Sequence, residues 1–353
     1  MSAPGSPRSE RFLKACRRSP ADCTPIWIMR QAGRYLEEYR KLRKKHAMLE
    51  MARTPELAAR TTLMPVEKFE LDAAILFSDI MIPVEGIGVG FRIEENVGPI
   101  VDQPIRSEAQ VRALRRFEPE RDVPYVLEAV RQIRLELDGR VPLIGFAGAP
   151  FTLASYLIEG RSPRQLRLTK RVMLEESALW DGLMMHLTDT VIDYLKAQAG
   201  AGAQALQLFD SWVGSLSPEH YGRYVQPYSA RIFRECSGLG VPLIHFGTET
   251  STLLAKMAEA GGDVLGADWR IPLDEAWDEI GHDRAIQGNL DPCVLFADFE
   301  VVRREAKQVL ARAAGRPGHI FNLGHGILPE TPVDNVRRLV DFVHEASASF
   351  HPN

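Results

Sequence analysis

Eight short apolar or mixed runs recur along this 353-residue chain, at 26–29, 73–77, 142–146, 204–208, 241–246, 263–267, 284–288 and 319–323. Each is too short for a helix, and most are followed within two residues by Gly, Asp, Ser or Asn, as buried parallel strands are. Longer amphipathic stretches lie between them, at 56–68, 125–137, 172–197, 218–235, 251–260, 299–314 and 332–348. Strands alternating with helices in this number predict an α/β fold, a (β/α)8 TIM barrel, with an open doubly wound sheet as the second reading. Residues 86–101, with Gly88, Gly90, Gly98 and Pro99, read as a β-hairpin inserted after the second strand. No linker or repeat divides the chain, so 9–353 is expected to be one domain behind a disordered leader at 1–8.

In a barrel of this kind the carboxyl ends of the strands share one face, and residues distant in sequence meet there. Those ends carry the chemistry-bearing residues: Arg30 and Arg34, Ser78-Asp79, Ala149-Pro150 leading to Tyr156, Asp210-Ser211-Trp212, His245, Asp268-Trp269-Arg270, Asn289-Leu290-Asp291 and His325. Arg30-Gln31-Ala32-Gly33-Arg34 stands out. Two guanidiniums four residues apart fall on one side if the chain coils there, and each can grip a carboxylate or phosphate through two parallel bonds. Gly33 leaves room for a ligand or another backbone to come close. Asp79 has two readings on sequence alone, a functional carboxylate or a helix N-cap. His325, flanked by glycines, reads most simply as a turn residue, and His245 as a buried structural histidine.

A formal net charge of −4 argues against nucleic acid or an anionic membrane as the main partner, and requires any anionic ligand to be met by local positive charge. Cys16, Cys23, Cys236 and Cys293 form no CxxC pair and read as reduced thiols of a cytoplasmic protein. No apolar run approaches the roughly 20 residues of a membrane helix, and the first twenty residues lack a signal-peptide core. Gly86-Ile-Gly-Val-Gly-Phe has Phe91 where a dinucleotide fingerprint needs glycine. GxxxxGK[ST], HExxH and GxSxG are missing. No metal site is expected.

Several stretches together resemble the uroporphyrinogen decarboxylase family of haem biosynthesis over roughly residues 10–350. They are PIWIMRQAGR (25–34), FSDIMIP (77–83), GFAGAPFTLASYLIEG (145–160), FDSWVG (209–214), His245-Phe246-Gly247, 266–270, GNLDP (288–292) and NLGHGI (322–327). Glu37 and Arg161 depart from the family pattern at positions that bear on local backbone shape. The resemblance implies removal of carbon dioxide from the four acetate side chains of uroporphyrinogen III, giving coproporphyrinogen III, with no metal or organic cofactor. Decarboxylation needs an electron sink. A pyrrole protonated beside its acetate-bearing carbon is its own sink.

Carried onto matching letters, the resemblance implies that Arg30, Gln31 and Arg34 hold substrate carboxylates while Ala32 and Gly33 permit close approach. It implies that Asp79 faces the pyrrole N–H groups and stabilises the cation, and that Tyr156, Ser211 and His325 bind further carboxylates. Arg30, Asp79 and Tyr156 are the implied catalytic residues. The proton donor stays open among Arg30, Tyr156, His325 and Asp79. A homodimer is implied, closing a wide mouth walled by Phe151, Trp212, Phe246 and Ile327. The rival reading, a zinc- and corrinoid-linked methyltransferase of the same fold, wants His-x-Cys and a distant Cys. Here Gly247 stands two residues after His245.

Overall fold

The computed structural model describes residues 8–94, 97–162 and 165–348. Seven parallel strands form one curled sheet: β1 (Ala74–Ile75), β4 (Leu143–Gly148), β5 (Ala205–Asp210), β6 (Leu243–Gly247), β7 (Val264–Gly266), β8 (Ala285–Leu290) and β9 (His319–Leu323), paired in that order. Every residue of these strands is buried except Phe209, because helices cover the outer face. The runs read from the sequence fall on these strands to within two or three residues.

The first run is the exception. Residues 25–28 make a single parallel bridge, Ile26 to Phe321, rather than a regular strand. Phe321 N donates to Pro25 O (2.8 Å) and Trp27 N to Phe321 O (3.3 Å), while on the other side Asp72 N donates to Ile26 O (2.8 Å). The segment therefore stitches β9 to the chain entering β1. It is too short for a ladder on the β1 side because the Asp72 carboxylate takes the Ile26 N–H (2.8 Å). β1 is likewise brief, since the N–H of Phe77 goes to the Thr62 hydroxyl (2.8 Å) instead of a strand.

Between β1 and β4 lie β2 (Phe91–Glu94) and β3 (Gly98–Val101), an antiparallel pair with Phe91 opposite Val101. Val101 N donates to Gly160 O (2.8 Å), which ties the pair to the end of the helix Pro150–Glu159.

The leader expected at 1–8 lies outside the described residues except Arg8. That residue opens the helix Arg8–Cys16 and is bonded through Nε to Leu71 O (2.7 Å), so its part of the expectation fails. The helix expected over 172–197 is two, Arg167–Glu175 and Ser177–Ala201. The one over 218–235 breaks at Val225, where Pro227 starts a fresh turn that its missing N–H could not continue. The helix Pro150–Glu159 left no periodic signal because nine of its ten residues are buried, and an all-round apolar helix has no polar face to alternate with.

Inside the curled sheet a polar chain replaces part of the apolar filling. Trp27 Nε1 donates to Gln287 Oε1 (2.8 Å), and Gln287 Nε2 to Gln207 Oε1 (3.2 Å). These bonds fix residues 25–28, β8 and β5 in one register beneath the strand ends.

Candidate active site

The arginine turn is built under constraint. Arg30 sits at φ 62°, the left-handed region that costs a non-glycine residue energy, directly after the stitching segment. A Cβ on Gly33 would lie 2.8 Å from Arg30 O, so the close approach Gly33 allows is to that carbonyl. Arg40 clamps the turn from below, its Nη1 donating to Arg34 O (2.7 Å) and Tyr35 O (2.9 Å). Both Arg30 and Arg34 are exposed, and Ala32 is half-buried.

Gln31 has a different place. Its side chain is fully buried, Oε1 accepting from Ile28 N (3.1 Å) and Nε2 donating to Ala73 O (3.1 Å). Those bonds make Gln31 the peg that holds the turn against β1, and the ligand contact expected of its side chain is replaced by this internal one. The physical reason is that residue 28 leaves its backbone N–H without a strand partner, and Gln31 is the nearest acceptor.

Asp79 follows β1. One oxygen accepts from Met81 N (2.8 Å), a bond within the turn that precedes the short helix Ile82–Gly86. The N-cap position of that helix falls to Met81, so Asp79 is not the helix N-cap that one sequence reading expected. Its other oxygen accepts no hydrogen bond among the described residues. The carboxyl lies deep although the residue as a whole is half-buried. Burial pushes its pKa above the usual aspartate range, opposed by the Met81 N–H and by the positive charge of Arg30. One oxygen of this acid is thus tied to the turn, and the other is left without a hydrogen bond from the described residues.

Tyr156, on the buried helix Pro150–Glu159, is 8% exposed and meets Trp212 edge to face at 6.2 Å. Burial raises its hydroxyl pKa; Asp79 adds to that and Arg30 opposes it, so the three groups share one electrostatic environment. Ser211 is half-buried after β5, its carbonyl accepting from the Thr248 hydroxyl (2.6 Å). Beneath it, Thr152 Oγ1 donates to the buried Asp210 (2.9 Å), whose pKa burial pushes up to about 7.

His325 is half-buried and held towards its neutral form by burial, with the charge of Arg30 acting in the same direction. The two glycines around it have separate jobs. A Cβ on Gly324 would strike the Trp269 backbone N at a distance shorter than any real contact, and one on Gly326 would lie 2.5 Å from Arg30 Cδ. His325 is thus more than a turn residue: the backbone on one side of it touches the β7 end and on the other the arginine turn.

Arg30, Asp79, Tyr156 and His325 are therefore brought together, with Arg34 on the same turn as Arg30 and Ser211 on the loop after β5. His245 is fully buried, its ring 4.8 Å from that of Phe233 on the helix side of the sheet, and burial lowers its pKa to about 4. Three of the expected mouth walls are core residues instead. Phe151 is 0% exposed against Trp180 (6.1 Å), Phe246 is 2% exposed against Phe209 (5.9 Å), and Ile327 is buried. Strand and helix apolar positions do not reveal by themselves which face they present. Trp269, 39% exposed, is the aromatic residue that does stand open beside the site. The sequence places Asp268 and Arg270 at a strand end without giving either a role, and Glu249 carries no signal in it.

Fold and site together define an α/β protein with a curled parallel sheet whose strand ends hold exposed arginines around a deep acid. The chain belongs to the uroporphyrinogen decarboxylase family: the family profile Uroporphyrinogen decarboxylase (URO-D) matches residues 7–346. It is 54% identical over 340 residues to the uroporphyrinogen decarboxylase of Carboxydothermus hydrogenoformans, covering 96% of this chain and 97% of that one. It is 56% identical over 335 residues to that of Sorangium cellulosum, covering 95% and 96%. Among solved structures, a methyltransferase from Methanosarcina mazei superposes with a TM-score of 0.81 at 23% identity, over 96% of this chain and 98% of that one. That likeness speaks to the fold.

Proposed function

We propose that the protein is a carboxy-lyase of porphyrin biosynthesis that converts uroporphyrinogen III to coproporphyrinogen III without a cofactor. The observation that carries the assignment of the site is Asp79: a deep carboxylate with one oxygen unused, sharing its field with Arg30 and Tyr156. In each of four rounds a proton adds to the pyrrole carbon beside the acetate-bearing one. The C–C bond to the carboxylate then breaks, its electron pair flows into the ring cation, and carbon dioxide leaves. A second proton converts the exocyclic methylene to a methyl group as the ring carbon gives back the first. Each round consumes one proton net.

In this scheme Asp79 accepts from the pyrrole N–H groups and stabilises the cation, which its low-dielectric position strengthens. Arg30 and Arg34 hold peripheral carboxylates through bidentate contacts. Ala32 and Gly33 offer their backbone to the substrate, and Tyr156, Ser211 and His325 bind further carboxylates. The hydrogen bonds on both sides of residues 25–28 support closure of the sheet as an eight-stranded barrel, one domain over 9–353 with the β2–β3 pair inserted.

A reduced cytoplasmic setting fits the four free cysteines. Among the described residues no helix is long and apolar enough to cross a membrane. The proposed homodimer would cover the open rim at Trp212 and Trp269. Sedimentation equilibrium at sub-micromolar concentration tests it; a fully active monomer would rule it out. The function itself is tested by incubating purified protein with uroporphyrinogen III under reducing conditions and resolving the products by chromatography. Successive loss of four carboxylates is expected, and an unchanged substrate would overturn the assignment.

A further inference from the structure

Asp268, just past the end of β7, is a saturated anchor. Its buried carboxylate accepts from Arg270 N (2.9 Å), Arg270 Nη1 (2.6 Å) and Glu249 N (2.9 Å). The guanidinium of Arg270 is fixed on a second side by the ring of Trp269, 4.5 Å beneath its central carbon. A planar fork held this way is already arranged for a carboxylate.

Its outer contact is of another kind. Nη2 meets Glu249 Oε1 at 3.2 Å, with the Arg270 side chain 38% and the Glu249 side chain 61% exposed. An open, single-contact ion pair is weak and easily exchanged. The position is also telling. Gly324 touches Trp269 and Gly326 touches Arg30, so Arg270 lies across His325 from the arginine turn, and His325 feels both charges.

We propose that Arg270 is a second carboxylate clamp of the substrate cleft, taking a propionate of the tetrapyrrole in exchange for Glu249. This rests on the function proposed above and adds to it. Eight carboxylates surround the macrocycle, whereas Arg30 and Arg34, four residues apart, serve one edge. A ligand already held at that edge presents its other carboxylates at high effective concentration, enough to displace an exposed glutamate. Because propionates survive the reaction, the clamp holds substrate and product alike, and it determines binding rather than the chemical step.

The test uses the full chain, with coproporphyrin III titrated by fluorescence alongside turnover of uroporphyrinogen III. Arg270→Gln should raise KM and the coproporphyrin Kd about tenfold, with kcat within about twofold. Arg270→Lys should fall between, because its ammonium keeps the charge and loses the fork. Glu249→Gln should move the other way, lowering both constants about two- to threefold, and should do nothing in the Arg270→Gln background. Thermal midpoints confirm folding, and if Arg270→Gln is unstable, Arg270→Lys and Glu249→Gln carry the test. Unchanged constants in Arg270→Gln, a loss confined to kcat, or a rise in KM for Glu249→Gln would overturn the clamp while leaving the decarboxylase assignment intact. A wild-type chain that neither turns over uroporphyrinogen nor binds coproporphyrin would overturn both.

Discussion

Two aspartates with deep carboxyls flank the same short strand, and they are opposites. Asp72 stands before β1 and is saturated: Ile26 N (2.8 Å) and His344 Nε2 (2.7 Å) reach one oxygen and Arg11 Nη1 (3.3 Å) the other. Arg11 in turn grips Asp22 through two contacts (2.8 and 2.6 Å). This clasp joins the first described helix, the stitching segment and the C-terminal helix Val333–Ala348. Asp79 stands after β1 with one backbone N–H and an oxygen to spare. The amino ends of parallel strands are where such a fold is tied shut, and the carboxyl ends are where unsatisfied groups are tolerated because a ligand completes them. Burial alone therefore does not separate these two acids; partnering does.

The sharpest way to break this contrast is at Asp79. Asp79→Asn should lower kcat by on the order of 10²–10⁴, as the pyrrolic cation loses its counter-charge. Its stability should move the other way. Burial raises the pKa of Asp79 in the folded chain, so ionising it costs stability, a cost that builds as pH rises from the unfolded to the folded pKa and is constant above that. Asparagine removes the cost and keeps an oxygen for Met81 N, so at neutral pH the melting midpoint should hold or rise. A midpoint that falls with kcat intact would show Asp79 to hold the turn and nothing more.

At Asp72 the prediction inverts. Asp72→Ala strands the Arg11 and His344 side chains and the Ile26 N–H, and should cost about 3–5 kcal/mol of stability by urea denaturation. The fraction that remains folded should keep kcat/KM within a few-fold. A loss of kcat comparable to that of Asp79→Asn would erase the distinction between the two ends.

Gly326→Ala is a finer probe. The new methyl would meet Arg30 Cγ and Cδ, a side chain able to swing aside, so folding should be nearly untouched. Arg30 would lose its resting place, and KM should rise about tenfold, or about 1.4 kcal/mol. An unchanged KM would mean that the position of Arg30 over Gly326 is incidental.

The smallest effect is in pH. The acid limb of kcat/KM should lie above the ordinary aspartate range, since Asp79 must be ionised and burial raises its pKa. Arg30 works against that rise, so Arg30→Ala should move the limb to higher pH, read from profiles of the residual activity. An unmoved limb would put Arg30 out of reach of Asp79.

Much of the fold was open to reading because strands covered on both faces must be apolar runs, and amphipathic helices must alternate with them. Arg30, Asp79, Tyr156, Ser211 and His325 could be placed at strand ends or on the helix that follows one, and the fold then gathered them. What the runs could not convey is which way a side chain turns. Gln31 sits among ligand-facing letters yet points inward, because its partners Ile28 N and Ala73 O exist only once the stitching segment meets β1. Phe151 and Phe246 look like cavity walls and are core. Arg270 becomes a candidate clamp only when Asp268, Trp269 and the loop carrying Glu249 converge on it. Periodicity follows from the backbone's own repeat and is local, so the sequence by itself determined the elements and their order. Hydrogen-bond satisfaction is a property of atoms from distant segments meeting, and only the tertiary structure decided it.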